Sequence, residues 1–174
     1  GCDFAVITGR SMDRVGKVEG VRNSFYRPVV KRKRALLKYR KQIHIDTENG
    51  GRIWRISKNG AISLNKKLSR ELTPFQIKKV TGSIKKTISE LGLSEKLKSG
   101  DLELLIRDSE IALFFHDKNL YSYLPVSTKK VEQFLLSQGI KELCDLIFTY
   151  SPNAINIALV DKKDAVELLA KRLG

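Results

Sequence analysis

Residues 42–64 read QIHIDTENGGRIWRISKNGAISL, and this stretch decides the fold class. Ile43 and Ile45 alternate with Gln42, His44 and Asp46, the period of two that puts apolar side chains on one face of a strand. Asn49-Gly50 follows, a pair that tolerates positive φ and so turns a chain tightly. Arg52 to Ser57 reads as the return strand. Asn59-Gly60 is a second such turn, and Ala61 to Leu64 a third strand. The pattern predicts a three-stranded antiparallel meander carrying basic side chains.

Downstream, Thr73-Pro74 has the chemistry of a helix start. Thr73 can cap, Pro74 suits the first turn, and Gln76 stands where a capping box needs it. Ile77, Val80, Ile84, Ile88 and Leu91 recur at spacings of three and four, one apolar stripe. Lys78, Lys79, Lys85 and Lys86 form two pairs seven apart, which places them together on the polar side. Gly82 weakens the helix and Gly92 ends it.

Upstream, residues 12–41 hold eleven basic residues against two acidic ones, a net +9. Gly16, Gly20, Asn23 and Pro28 interrupt any periodicity there, so an extended arm is expected. The sole methionine is Met12. Residues 1–11 are therefore read as a vector-derived leader, with a short strand from Phe4 to Thr8 as the alternative.

After Ser99-Gly100 the chemistry changes. Residues 100–174 carry nine basic and eleven acidic residues, a net −2, against +7 for residues 42–99. Leu102–Arg107 and Ile111–Phe115 suggest a hairpin, and Leu120–Leu124 a third strand. Ser127 opens a helix, the segment 140–150 a second, Ala154–Val160 reads as a buried strand, and Asp164–Leu173 as a closing helix. The whole is expected to be α+β. It comprises a basic arm (12–41), a basic meander plus helix (42–99), and a near-neutral α/β-sandwich module (100–174) in the order β-β-β-α-α-β-α.

The 174 residues are 41% hydrophobic and 30% charged, with a formal net charge of +14, so a packed core is expected and global disorder is not. No apolar run approaches the ~20 residues of a membrane span. Cys2 and Cys144 make neither a disulfide framework nor a zinc motif, which favours a reducing, intracellular setting.

Charge confined to one part of a chain points to a polyanion partner. The expected partner is nucleic acid, DNA in preference to RNA. The phosphate contacts fall to Arg22, Arg27, Lys31, Arg32, Lys33, Arg34, Lys38, Arg40 and Lys41. Arg52, Trp54 and Arg55 on the meander would approach bases or backbone, and Lys78, Lys79, Lys85 and Lys86 would extend the basic surface. In element order, residues 40–92 loosely resemble small β-sheet DNA readers. Residues 100–174 would serve self-association or a protein partner.

Two alternatives stand beside this. One is a metal-dependent nuclease. Asp161 between a strand and a helix, with three strands and a helix before it, loosely resembles the layout of an RNase H-like fold, which implies carboxylates such as Asp108 and Glu132 as partners. The other is a scaffold for a ribonucleoprotein or acidic protein. His44-Ile45-Asp46 and His116-Asp117 place histidine near carboxylate, but surface or turn histidines are the simpler reading. No catalytic residue, metal ligand or cofactor is expected.

Overall fold

The alternation at 43–47 does build a strand, and both Asn-Gly turns fold the chain back on itself. In the computed structural model, which describes residues 4–16, 19–28, 43–57, 59–140, 143 and 145–173, β1 (Phe4–Ile7), β2 (Ile43–Thr47), β3 (Arg52–Ile56) and β4 (Ile62–Leu64) form one sheet in that order. β2, β3 and β4 are the expected antiparallel meander, with Ile45 opposite Trp54 and Trp54 opposite Leu64. β1 runs parallel to β2, with Val6 opposite Ile45. Within the segment read as a leader, Phe4–Ile7 is a strand, as the alternative reading of that segment has it.

The pleat sorts the side chains of β2. Ile43 and Ile45 join Met12, Val21 and Ile56 in a buried cluster that Trp54 and Tyr26 flank. His44 and Asp46 point to the other face, and all five residues of β2 are buried. Of the arm expected at 12–41, Met12 and Val21 are buried in this cluster and Phe25 and Tyr26 pack against it. Val21 and Arg22 donate their backbone N–H to Ser11 and Met12, and Arg22–Tyr26 makes a wide helical turn. Lys31, Arg32, Lys33, Arg34, Lys38, Arg40 and Lys41 lie outside the described residues, as does Cys144.

The chain divides into two compact units. One comprises residues 1–71, 107–109 and 160–174, the other residues 72–106 and 110–159. The lysine-bearing helix therefore packs in the second unit rather than with the meander that precedes it.

In the second unit α1 (Pro74–Glu90) starts as its sequence requires. Thr73 accepts from the Gln76 backbone, and the Gln76 side chain accepts from the Thr73 N–H. A capping box satisfies two of the donors that a helix start leaves unpaired. Thr73→Ala is expected to cost about 1 kcal/mol in chemical denaturation, with Thr73→Ser retaining most of it. The stripe Val80, Ile84 and Ile88 is buried, and Ile77 and Leu91 are partly so.

α2 (Ser94–Ser99) leads into β5 (Leu102–Ile106) and β6 (Glu110–Phe115), the expected hairpin. The strand expected at Leu120–Leu124 is instead a tight helical turn over Lys118–Tyr123. Asp117 caps it by accepting from the Asn119 N–H, and Pro125 then sits in the first turn of α3 (Leu124–Leu136). Local capping overrides the apolar residues here.

Residues 147–150, expected to lie in a helix, are strand. β7 (Ile147–Ser151) and β8 (Ala154–Ala158) form a hairpin about Pro152-Asn153, and the sheet runs β5-β6-β8-β7, all antiparallel. The β-branched and aromatic run Ile147 to Tyr150 pairs better in a ladder than it packs on a helix. Val80, Ile84, Val131 and Leu135 of the two longer helices pack with Leu113, Phe115, Ile155 and Ile157 of the sheet.

The first unit is closed by α4 (Lys162–Leu173), which packs on β1 and on the turn at 48–50. The fold is α+β, and among the described residues no helix is long and apolar enough to cross a membrane.

Candidate functional site

Two parallel strands, β1 and β2, bring their carboxyl ends to one edge of the first unit. In sheets of this kind ligands lodge outside the carboxyl ends, where successive loops leave backbone N–H groups exposed. Three segments meet there: Thr8–Ser11 after β1, Glu48–Gly51 after β2, and the first turn of α4.

The first two segments are stitched together. The Thr8 N–H donates to the Asp46 carbonyl (2.8 Å), the Asn49 N–H to the Thr8 carbonyl (3.0 Å), and the Glu48 N–H to the Arg10 carbonyl (3.1 Å). Within the first segment the Arg10 N–H donates to Thr8 Oγ1 at 3.2 Å. The Ser11 hydroxyl is buried and has no hydrogen-bond partner among the described residues.

The second segment is strained. Glu48 and Asn49 hold φ of 54° and 58°, the left-handed region that non-glycine residues enter at a cost of roughly 1–2 kcal/mol each. The surroundings hold them there. Glu48 Oε2 accepts from both the N–H and the hydroxyl of Ser109, each at 2.8 Å. Gly50 follows at φ 100°, so close to α4 that a Cβ on it would stand 2.2 Å from the Cβ of Ala165. Arg107 reaches the other loop and donates from its guanidinium to the Gly9 carbonyl at 2.6 Å.

α4 begins beside this turn. Asp161 caps it, accepting from the Asp164 N–H at 2.7 Å. Lys162 and Lys163 follow in the first turn, and both are exposed, as is Arg10. Asp161 and Asp164 stand in the same turn as the two lysines, so the helix N-terminus and the two loops, rather than a net charge, suit the edge to an anion.

Asp46 lies one residue before the end of β2, sealed from solvent. Neither carboxylate oxygen has a hydrogen-bond partner among the described residues. Burial pushes its pKa up from 3.8 to about 7.

Of the residues expected to contact nucleic acid, the described ones fall in both units, each with its own surroundings. Arg22 is bidentate to Asp13, whose carboxyl the guanidinium holds below its ordinary pKa. Arg52 is buried and pairs with Glu71 and Asp108. Trp54 packs on the apolar cluster and donates its indole N–H to Thr47 at 3.1 Å. Arg55 and Arg27 are exposed. Lys78, Lys79, Lys85 and Lys86 belong to the second unit.

Asp108 is paired with Arg52, Asp161 caps α4, and no group of three histidine, cysteine or acidic residues is placed to hold a metal ion among the described residues. His116 pairs with Glu103 at 2.9 Å.

No protein-family model and no curated protein sequence matches the chain. Solved structures do. The N-terminally truncated, IMP-bound IMP-nucleotidase of Plasmodium falciparum is similar over 97% of this chain and 46% of its own, at 12% identity and a TM-score of 0.61. The ATP-bound form of that nucleotidase is similar over 97% and 40%, also at 12% identity and 0.61. The sucrose-phosphatase of Synechocystis, in complex with sucrose and phosphate, is similar over 97% and 56%, at 14% identity and 0.50. The chain thus spans less than half of the nucleotidases it matches. At these identities the likeness is one of fold.

That fold overturns the expectation of a DNA- or RNA-binding protein. The neighbours are phosphatases, and the meander is not a free-standing groove reader: it continues a sheet begun by β1, and its first strand is buried throughout.

Proposed function

We propose that the first unit carries the phosphate-holding part of a phosphatase, with a phosphate monoester as ligand at the carboxyl ends of β1 and β2. One observation carries this reading. The loop Thr8–Ser11, the strained turn Glu48–Gly50 and the N-terminus of α4 come together at one edge. The fold shared with phosphatases supports it.

The chemistry of each residue follows from its surroundings. Thr8 Oγ1 already accepts from the Arg10 N–H, so its own hydroxyl proton is free to donate to a phosphate oxygen. Arg10 offers a planar fork that matches two oxygens of a dianion, and Lys162 and Lys163 supply point charges at a helix start, where the backbone dipole adds to them. The turn at 48–50 holds the walls: with Ser109 and Arg107 it fixes both loops before a ligand arrives, which lowers the cost of binding.

Three carboxylates at this edge are already committed elsewhere. Glu48 is committed to Ser109, Asp161 to the helix cap, and Asp46 is sealed within the sheet. The attacking group is expected outside the described residues, in keeping with a chain that spans less than half of the matching nucleotidases. The chain's own part is to bind and orient the phosphoryl group.

Titration of the isotopically labelled chain with inorganic phosphate tests this. Saturable shifts are expected at the amides of Thr8, Gly9, Arg10 and Lys162. Arg10→Gln combined with Lys162→Gln should weaken binding at least tenfold, about 1.4 kcal/mol. Shifts absent from those amides, or untouched by the double substitution, would refute the reading.

A further inference from the structure

The second unit contains a cleft of about 490 Å³ between α1 and the end of α3. That size falls within the roughly 300–1,000 Å³ of small-molecule sites. Its α1 wall is built from Phe75, Lys79, Gly82 and Lys86, whose spacings of four, three and four lie on one face of a helix. Lys78 adds a third ammonium, and Phe134 and Gln138 form the opposite side.

Three features of the cleft are unusual together. The first is its charge: among the described residues three lysines line it and no carboxylate does. Among the same residues Lys79 is held by neutral groups only, donating to Gln138 Oε1 at 2.8 Å with its Nζ 5.6 Å from the centre of the Phe75 ring. Lys86 sits 4.2 Å from the centre of the Phe134 ring. The ring faces position these ammonium groups without neutralising them.

The second feature is Gly82. It sits in the middle of a 17-residue helix, where glycine is less favourable than alanine by roughly 1 kcal/mol. A Cβ there would meet nothing within 4 Å, so packing does not require the glycine. Its effect is a notch in the cleft wall that any larger side chain would fill. The third feature is apolar: Phe75 is 43% exposed beside that notch.

We propose that this cleft binds a nucleoside diphosphate or triphosphate. The flat base lodges at the Gly82 notch against the phenyl rings, and the phosphates take Lys78, Lys79 and Lys86. The charge excess calls for a multiply charged anion, while the notch and exposed ring call for a flat, partly apolar body. A nucleotide carries both. The site lies wholly within the second unit and is independent of the phosphate site proposed for the first.

The test titrates ADP, pyrophosphate and adenosine into the full chain by calorimetry, with amide shifts to locate the ligand. ADP is expected to bind saturably, at least tenfold tighter than pyrophosphate, with shifts at Gly82, Ser83 and Ser137. Gly82→Leu should abolish the advantage of ADP over pyrophosphate without lowering Tm, because leucine favours the helix. Lys79→Gln with Lys86→Gln should weaken ADP at least tenfold and leave the circular-dichroism spectrum unchanged. Equal affinity for ADP and pyrophosphate would overturn the proposal. So would ADP binding that survives Gly82→Leu, or shifts confined to Thr8–Arg10 and Lys162.

Discussion

Asp46→Asn is expected to stabilise the first unit by up to about 4 kcal/mol above pH 7 and to leave it nearly unchanged near pH 4. The sign follows from the direction of the shift. Burial raises the carboxyl from 3.8 to about 7 in the folded chain. Below 3.8 both folded and unfolded chains hold the proton, and the group contributes nothing. Between 3.8 and 7 the unfolded chain gives the proton up and the folded chain keeps it, so stability falls as pH rises. Above 7 the folded chain carries a sealed carboxylate without a hydrogen bond, and the loss is complete. Asparagine has nearly the same shape and no charge. Urea unfolding at pH 5 and pH 9 checks this: the native chain should lose stability between the two and Asp46→Asn should lose much less. Parallel profiles would show that Asp46 is not the group responsible.

Gly50→Ala is expected to destabilise the first unit by roughly 3–5 kcal/mol, from two separable causes. The residue holds φ of 100°, which an L side chain rarely adopts, and the added methyl would stand 2.2 Å from Ala165 Cβ, far inside contact distance. Ala165→Gly removes the collision but not the backbone strain. In the double variant the collision should vanish, giving a favourable coupling of about 1–3 kcal/mol between the two sites in chemical denaturation. A coupling near zero would mean that α4 does not press on the turn.

Much of this architecture is legible in the residues. The alternation at Ile43 and Ile45 and the two Asn-Gly pairs specify the meander because register in a half-buried sheet is set by such patterns. Thr73-Pro74-Phe75-Gln76 specifies a helix start for a reason contained in four residues. What failed were judgements that depend on distant partners. Phe4–Ile7 is short, and only its pairing with Ile43–Asp46, some forty residues on, makes it a strand. The run 147–150 has the composition of a strand, but its ladder partner lies beyond Pro152-Asn153.

The candidate site was missed for the same reason. Its signal is an apolar run ending in Thr8-Gly9-Arg10-Ser11, inside the segment read as a leader. The basic residues drew attention instead, yet Arg22 and Arg52 spend their charge on Asp13, Glu71 and Asp108. A charge count cannot register such pairing. The lysines of α1 fared differently: their spacing alone places them on one side of the helix, and three of them line a cleft there.

The division of the chain has a bearing on how it is made. The first unit takes residues 1–71, then only 107–109, then 160–174, so nearly all of the second unit is an insertion within it. A ribosome delivers β1 and β2 early, but the helix that presses on Gly50 and the Asp161 cap emerge some hundred residues later. Until then the left-handed turn at Glu48 and Asn49 lacks part of its support. The inserted unit, whose contacts span shorter stretches, can close first. The order of synthesis thus leaves the proposed anion site without α4 until the inserted unit has been made.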